Sequence, residues 1–177
     1  MDNQQATQEI SQVEKGWFCG IVDGEGCISM SFERRKEFKK GYRYRPYIEI
    51  NNTSAEIIWK CVDILQRIGI NPKVSVYQSL QSTKKPFHRC GIYLFSHLKK
   101  LLDYFSEDLV CKKASALLML RYVNSRLTKN KNEPYSDEEI AIGEKVRSLT
   151  SRGVPNDYVS PLPQGERYSL LLRESVS

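Results

Sequence analysis

Gly16-Trp17-Phe18-Cys19-Gly20-Ile21-Val22-Asp23-Gly24-Glu25-Gly26-Cys27-Ile28 holds a helix and its ending in one segment. Ser11, with Glu14 three residues on, is a capping box, so the helix starts near Ser11. Gly16, Gly20 and Gly24 then recur every fourth residue and fall on one helical face. A glycine inside a helix costs roughly 1 kcal/mol against alanine, and this helix bears that cost three times. Close approach of a second backbone is the usual compensation for small residues at this spacing. Asp23-Gly24-Glu25-Gly26 sets two carboxylates where the helix frays, beside glycines that allow a sharp exit into extended chain. Acids gathered where backbones meet are either strained or holding a divalent cation.

Downstream, Ile28, Met30 and Phe32 alternate with Ser29, Ser31 and Glu33, and Arg35 continues the polar series. This is the period of a strand with one buried and one wet face. A basic loop with Arg34, Arg35, Lys36, Lys39 and Lys40 leads through Gly41 into a second strand, from Tyr42 to about Asn51. Tyr44, Ile48 and Ile50 take one face of it; Arg43, Arg45, Tyr47 and Glu49 take the other. Thr53 and Glu56 form a second capping box, opening a helix with the stripe Ile57, Ile58, Cys61, Ile64, Leu65 and Ile68, closed by Gly69.

The plan then repeats. Val74 and Val76 alternate with Lys73, Ser75 and Tyr77, and after a turn over Ser82 to Pro86, Ile92 and Leu94 oppose Arg89 and Tyr93. Ser96 is the expected cap of a helix carrying Leu98, Leu101, Leu102 and Phe105. A longer helix, from about Leu109 to Arg126, is expected to hold Ala114, Leu117, Leu118 and Val123. The order predicts an α+β fold with one four-stranded antiparallel sheet and helices on one face. Residues 1–10 read as a flexible polar tail, 11–127 as the core, and 128–177 as a linker, a helix capped by Ser136 and Glu139, and an extended proline-bearing arm.

Composition narrows the function. A net charge of +6 favours an anionic partner. Cys19, Cys27, Cys61, Cys90 and Cys111 are odd in number and scattered, which argues against a disulfide framework or zinc site and for a reducing, intracellular compartment. Whether that is cytoplasm, nucleoid or an organelle is left open. His88, Cys90 and His97 lack a fourth ligand at a recognised spacing. No apolar run approaches the ~20 residues of a membrane span, and no signal-peptide core is visible. An exposed sheet face with Ser, Arg, Lys and Tyr suits groove readout of a duplex. Antiparallel sheets also often leave such a face simply solvated.

The segment Phe18-Cys19-Gly20-Ile21-Val22-Asp23-Gly24-Glu25-Gly26 resembles the nine-residue LAGLIDADG motif of homing endonucleases, without a gap. Phe18, Cys19 and Gly24 are conservative departures, and Glu25 stands where that family places its metal-binding acid. The αββαββα order over about 11–126 matches the family saddle. The resemblance implies a metal-dependent endonuclease for double-stranded DNA, using Mg²⁺ or another divalent cation such as Mn²⁺. It implies Glu25 and the Gly24 carbonyl as metal ligands and Lys112 as the active-site lysine. Asn52 aligns with a water-positioning residue, with Asn51 or Thr53 in adjacent registers and a plain turn role as the alternative.

No second Asp-Gly-Glu-Gly occurs. A chain with one motif resembles half of a two-motif enzyme, which implies a homodimer joined through Gly16, Gly20, Ile21 and Gly24, cutting a pseudo-palindromic target. Ser29, Ser31, Arg35, Arg43, Arg45 and Tyr47 would then read or flank base edges, Glu33, Lys73, Ser75, Tyr77 and Arg89 would also contact the DNA, and Lys39 and Lys40 would hold phosphates. Two alternatives share the fold: a maturase bound to intron RNA, and a catalytically silent DNA-binding regulator.

Overall fold

The computed structural model describes residues 9–34, 36, 41–78, 86–130 and 133–150. Helix α1 (Gln12–Glu25) starts on the predicted capping box: Ser11 Oγ accepts the Glu14 N–H at 3.2 Å, and the Glu14 carboxylate accepts the Ser11 N–H at 2.8 Å. It passes without a loop into β1 (Gly26–Arg34), followed by β2 (Tyr42–Asn52), α2 (Ala55–Arg67), β3 (Lys73–Tyr77) and β4 (Phe87–Ile92). Helix α3 (Phe95–Phe105), a 3-10 turn at Ser106–Asp108, α4 (Lys113–Leu127) and α5 (Asp137–Ser148) complete the described chain.

The four strands form one antiparallel sheet in the order β1-β2-β4-β3. Register aligns Ile28 with Ile48, Ile48 with Ile92 and Ile50 with Cys90, so these side chains share the face the helices bury. The opposite face aligns Glu33 with Arg43, Ser31 with Arg45, and Arg89 with both Asn51 and Ser75. A proline inside a strand usually argues against a central position. Pro46 is compatible here because β4 pairs with β2 only from Ile48 onward, leaving the Pro46 stretch an edge where no donor is needed.

Several boundaries differ from the sequence reading. Ser54, not Thr53, caps α2: its Oγ accepts the Ile57 N–H, and Glu56 bonds that same hydroxyl at 2.6 Å. Ser96 does not cap α3; Leu94 occupies that position without a side-chain bond and is 61 % exposed rather than facing the core. Helix α4 begins at Lys113, so its buried stripe is Ser115, Ala116, Met119, Tyr122 and Val123. Ala114 is exposed, and Leu117 and Leu118 are half-buried. Just before this start, Asp23 accepts the N–H groups of Val110 and Lys112. Val76, expected inward, is exposed near the outer end of β3.

Helix α5 starts on the predicted Ser136–Glu139 capping box. Ile140, Ala141, Ile142 and Val146 are buried in the same core as the sheet. It packs so close to β2 that a Cβ at Gly143 would lie 3.0 Å from the Tyr44 ring. Just before it, the Tyr135 ring stacks on Tyr42 at 5.6 Å, and its hydroxyl accepts the Tyr44 N–H at 3.3 Å on the open edge of β2. Residues 151–177, including the arm, lie outside the described residues, as do most of the turn before Pro86 and residues 1–8.

At the centre, Phe18 is fully buried with its ring 4.5 Å from Phe105, joining α1 to α3. Phe18→Ala is expected to destabilise the fold by about 3–5 kcal/mol, measured by denaturant unfolding, because both apolar burial and packing are lost. A second expectation concerns acid. Arg67 forks onto Glu14, tying α2 to the start of α1, and this pairing with the Ser11 bonds holds the Glu14 carboxyl down at about 2. A folded-state pKa below the unfolded one stabilises above the unfolded value and loses that contribution as pH falls through the folded value. Melting temperature should therefore drop between about pH 4.5 and pH 2, and Glu14→Gln should flatten that part of the profile.

Candidate functional site

The end of α1 is built by crowding. A Cβ on Gly26 would lie 2.5 Å from the Val22 carbonyl oxygen, which accepts the Gly26 N–H, so only glycine lets β1 leave the helix at this angle. Asp23 lies one turn earlier. Its carboxylate accepts the Val110 N–H at 2.7 Å and the Lys112 N–H at 2.9 Å. In return the Lys112 ammonium donates to the Asp23 backbone carbonyl. Helix α1 has no basic residue in its own last turn, so this lysine supplies the positive charge that its carbonyl end favours.

Lys112 is thereby held at the helix end that carries Glu25, the last α1 residue, exposed and bonded to no other described residue. Asn52 ends β2 two residues past Ile50, the partner of Gly26, so it sits at the same end of the sheet. Its Oδ1 accepts the Ser54 N–H at 2.8 Å, which commits that atom to the turn into α2. Asn51 Oδ1 is likewise taken, by Arg89 Nε at 2.9 Å. Glu25, Lys112 and Asn52 thus occupy one end of the molecule, brought there by α1, the turn into α4 and β2.

No group of three or more His, Cys, Asp or Glu capable of holding a metal exists among the described residues. One exposed carboxylate with a neighbouring backbone carbonyl is nevertheless the donor set expected for Mg²⁺, which is held by one or two carboxylates together with phosphate oxygens and water. The residues fit such an ion when a phosphate and a second carboxylate complete its shell.

The sheet face beside this end carries most of the residues expected there. Arg43 and Arg45 both pair with Glu33, at 2.9 and 3.1 Å. Tyr47 is half-buried, and its hydroxyl is hydrogen-bonded with Ser29, which is only 5 % exposed. Ser29 was expected on the wet face; it has that register, but the tyrosine covers it. Lys73 and Tyr77 are exposed and Ser75 half-buried. Arg89 stacks at 4.4 Å on the Tyr77 ring and reaches Glu49 at 3.4 Å as well as Asn51. Tyr93 donates to the same Glu49 at 2.7 Å; its burial and this acid neighbour push the phenol up to about 12. The Tyr93 phenol lies over Gly91, where a Cβ would come within 2.4 Å of its hydroxyl and 2.6 Å of its ring. Arg35, Lys39 and Lys40 lie outside the described residues.

On α1, Gly16, Gly20 and Gly24 are exposed, and an added Cβ on any of them meets nothing within 4 Å among the described residues. Val13 and Val110 beside them are 82 % and 83 % exposed. A cleft of about 370 Å³ runs along this face between Gln12 and Asp108. Ile21 is half-buried and packs partly on the core rather than lying wholly on the open face.

Sequence reasoning missed Asp23 as a clamp, since its partners are 87 and 89 residues away and no local pattern marks them. Replacing Asp23 with alanine should cost about 1–3 kcal/mol, since two N–H groups lose a charged acceptor. Hydrogen exchange at Val110 and Lys112 should speed up in that variant and stay slow in Lys112→Met.

Comparison with known proteins follows the same lines. No curated protein sequence matches. The chain superimposes on I-CvuI, solved with the I-CreI target in the presence of Mg with the DNA not cleaved, at a TM-score of 0.67 and 20% identity, covering 90% of this chain and 93% of that one. It superimposes on the archaeal intron-encoded homing endonuclease I-Vdi141I, complexed with DNA, at 0.65 and 13% identity, covering 90% and 94%. For the homing endonuclease I-TnaI the values are 0.60 and 17%, covering 89% and 95%. The pattern of the LAGLIDADG-like domain matches residues 12–116, so the chain belongs to the LAGLIDADG-like family.

Proposed function

We propose that this chain is a site-specific DNA homing endonuclease, active as a homodimer that hydrolyses both strands of a pseudo-palindromic target with a divalent cation. The observation that carries this is a bare helix face ending in a free acid, beside a sheet face of arginine, lysine and tyrosine. One chain offers one Glu25, whereas two strands need two centres. The uncovered glycine face accepts a second copy of itself across a two-fold axis, which would bring both acids together. This chain covers 93% of I-CvuI but only 47% of I-SmaMI, so it matches a longer protein over about half of that protein's length.

In the proposed reaction the Glu25 carboxylate and Gly24 carbonyl would hold the cation, which would supply Lewis acidity toward the phosphate. Lys112, steered by the Asp23 carbonyl, offsets negative charge that develops on the phosphodiester oxygens. Asn52, with Oδ1 fixed in its turn, presents its amide N–H groups to orient a water. Arg43, Arg45, Tyr47, Lys73 and Tyr77 contact the duplex through its grooves and backbone. A silent regulator would need neither Glu25 nor Lys112. Free thiols at all five cysteines favour a reducing intracellular compartment.

The test uses Mg²⁺ and duplex DNA spanning the insertion site of the gene. Glu25→Gln keeps the shape but loses the charge, so cleavage should vanish while binding by gel shift persists; full activity would remove Glu25 from the mechanism. Lys112→Met should lower the cleavage rate far more than affinity, whereas an equal fall in both would mark it as a phosphate contact. Sedimentation across a concentration range should show a dimer, and Gly20→Leu should weaken association and cleavage together. A monomer that cuts both strands at a symmetric site would refute the homodimer.

A further inference from the structure

The polar sheet face holds an acid at its outer end. Glu33 lies directly opposite Arg43 in the β1–β2 register and one diagonal step from Arg45, the partner of Ser31. Its two oxygens are divided between them: Oε2 takes Arg43 Nη2 at 2.9 Å and Oε1 takes Arg45 Nη1 at 3.1 Å. The three side chains differ in exposure, at 25% for Glu33 against 43% and 56% for the arginines, so the acid lies beneath and the guanidinium groups face outward. Its carboxyl is held below the usual carboxylate range by the Arg43 hydrogen bond in particular, and by Arg45, so it stays ionised at neutral pH.

A carboxylate is a poor neighbour for a phosphate, so its place on a face offered to a polyanion needs a reason. An unrestrained arginine swings to the nearest phosphate, which gives affinity without sequence information. An arginine fixed by one edge keeps its planar fork aimed, and a fork aimed at guanine O6 and N7 reads sequence. We propose that Glu33 is a specificity-determining positioning residue, which aims Arg43 and Arg45 together at base edges and withholds them from the phosphate backbone. This rests on the DNA-reading function proposed above. Because both arginines share one acid, their two base preferences are coupled through it.

The experiment uses the full chain and a randomised duplex pool, from which bound sequences are selected and counted. Arg43→Ala and Arg45→Ala should each relax preference at their own positions, by roughly 5- to 150-fold per base for a bidentate contact. Glu33→Gln should relax the positions of both arginines at once. It should also tighten binding to random duplex and steepen the salt dependence of log K by about one unit, as an arginine turns to phosphate. Its melting temperature should match that of Arg45→Ala, which separates aiming from folding. Glu33→Gln selecting the wild-type sequences with the wild-type salt slope would overturn the proposal. So would a change confined to a position that neither arginine affects, since Glu33 would then be reading a base itself. Unchanged selection in both arginine variants would instead refute the underlying DNA-reading assignment, and this proposal with it.

Discussion

Asp23 joins two parts of the chain that are remote in sequence, and the geometry of the acid site depends on that junction. Its carboxylate takes backbone N–H groups from Val110 and Lys112, and its own carbonyl takes the Lys112 ammonium. The end of α1 and the start of α4 are therefore one object. Exposed loops before helices are ordinarily loose. This one is bonded at both its backbone and its side chain, so Lys112 stands at a fixed place relative to Glu25. The clamp lies directly before α4, which starts at Lys113.

The opposite constraint acts on α1's outer face. Its inner side, Phe18, Cys19 and Val22, is buried. Its outer side offers bare backbone at Gly16, Gly20 and Gly24, which nothing among the described residues covers. Three helix glycines disfavour the isolated helix, and within the described residues no second backbone packs against them. Gly26 is different: it is required by the chain itself, because the Val22 carbonyl fills the space a side chain would need. Within eleven residues, glycine thus serves two ends, one internal and one turned outward.

Charge on the sheet face is organised rather than merely positive. Arg43 and Arg45 share Glu33, and Arg89 is spanned by Asn51, Glu49 and the Tyr77 ring. Exposed ion pairs of this kind add little stability, on the order of 0–1 kcal/mol. Their effect is geometric: they restrict where long, flexible cations point. Tyr93, lying over Gly91 and bonded to Glu49, completes the restraint around Arg89.

Much of this was legible in the residues. Period-two alternation from Ile28 to Phe32 and from Tyr44 to Ile50 identified the strands and assigned each side chain to its face, because in a pleated strand the face follows from parity alone. The boxes at Ser11 and Ser136 marked two helix starts correctly, since a capping box is a local bond between residues three apart. At two other starts the expected cap was displaced: Ser54 rather than Thr53 caps α2, and α3 begins at Phe95, with Ser96 already inside it. Ser29 shows the limit of parity: it lies opposite Tyr47 on the polar face, yet it is only 5% exposed. Glu25 could be singled out from a motif because its neighbours on α1 identify it. The union of Asp23 with residues 110–112, the packing of α5 under β2 and the sharing of Glu33 by two arginines were decided by tertiary structure alone. Each is a contact between segments whose separation is set by the whole fold, and no local pattern encodes which remote partner arrives.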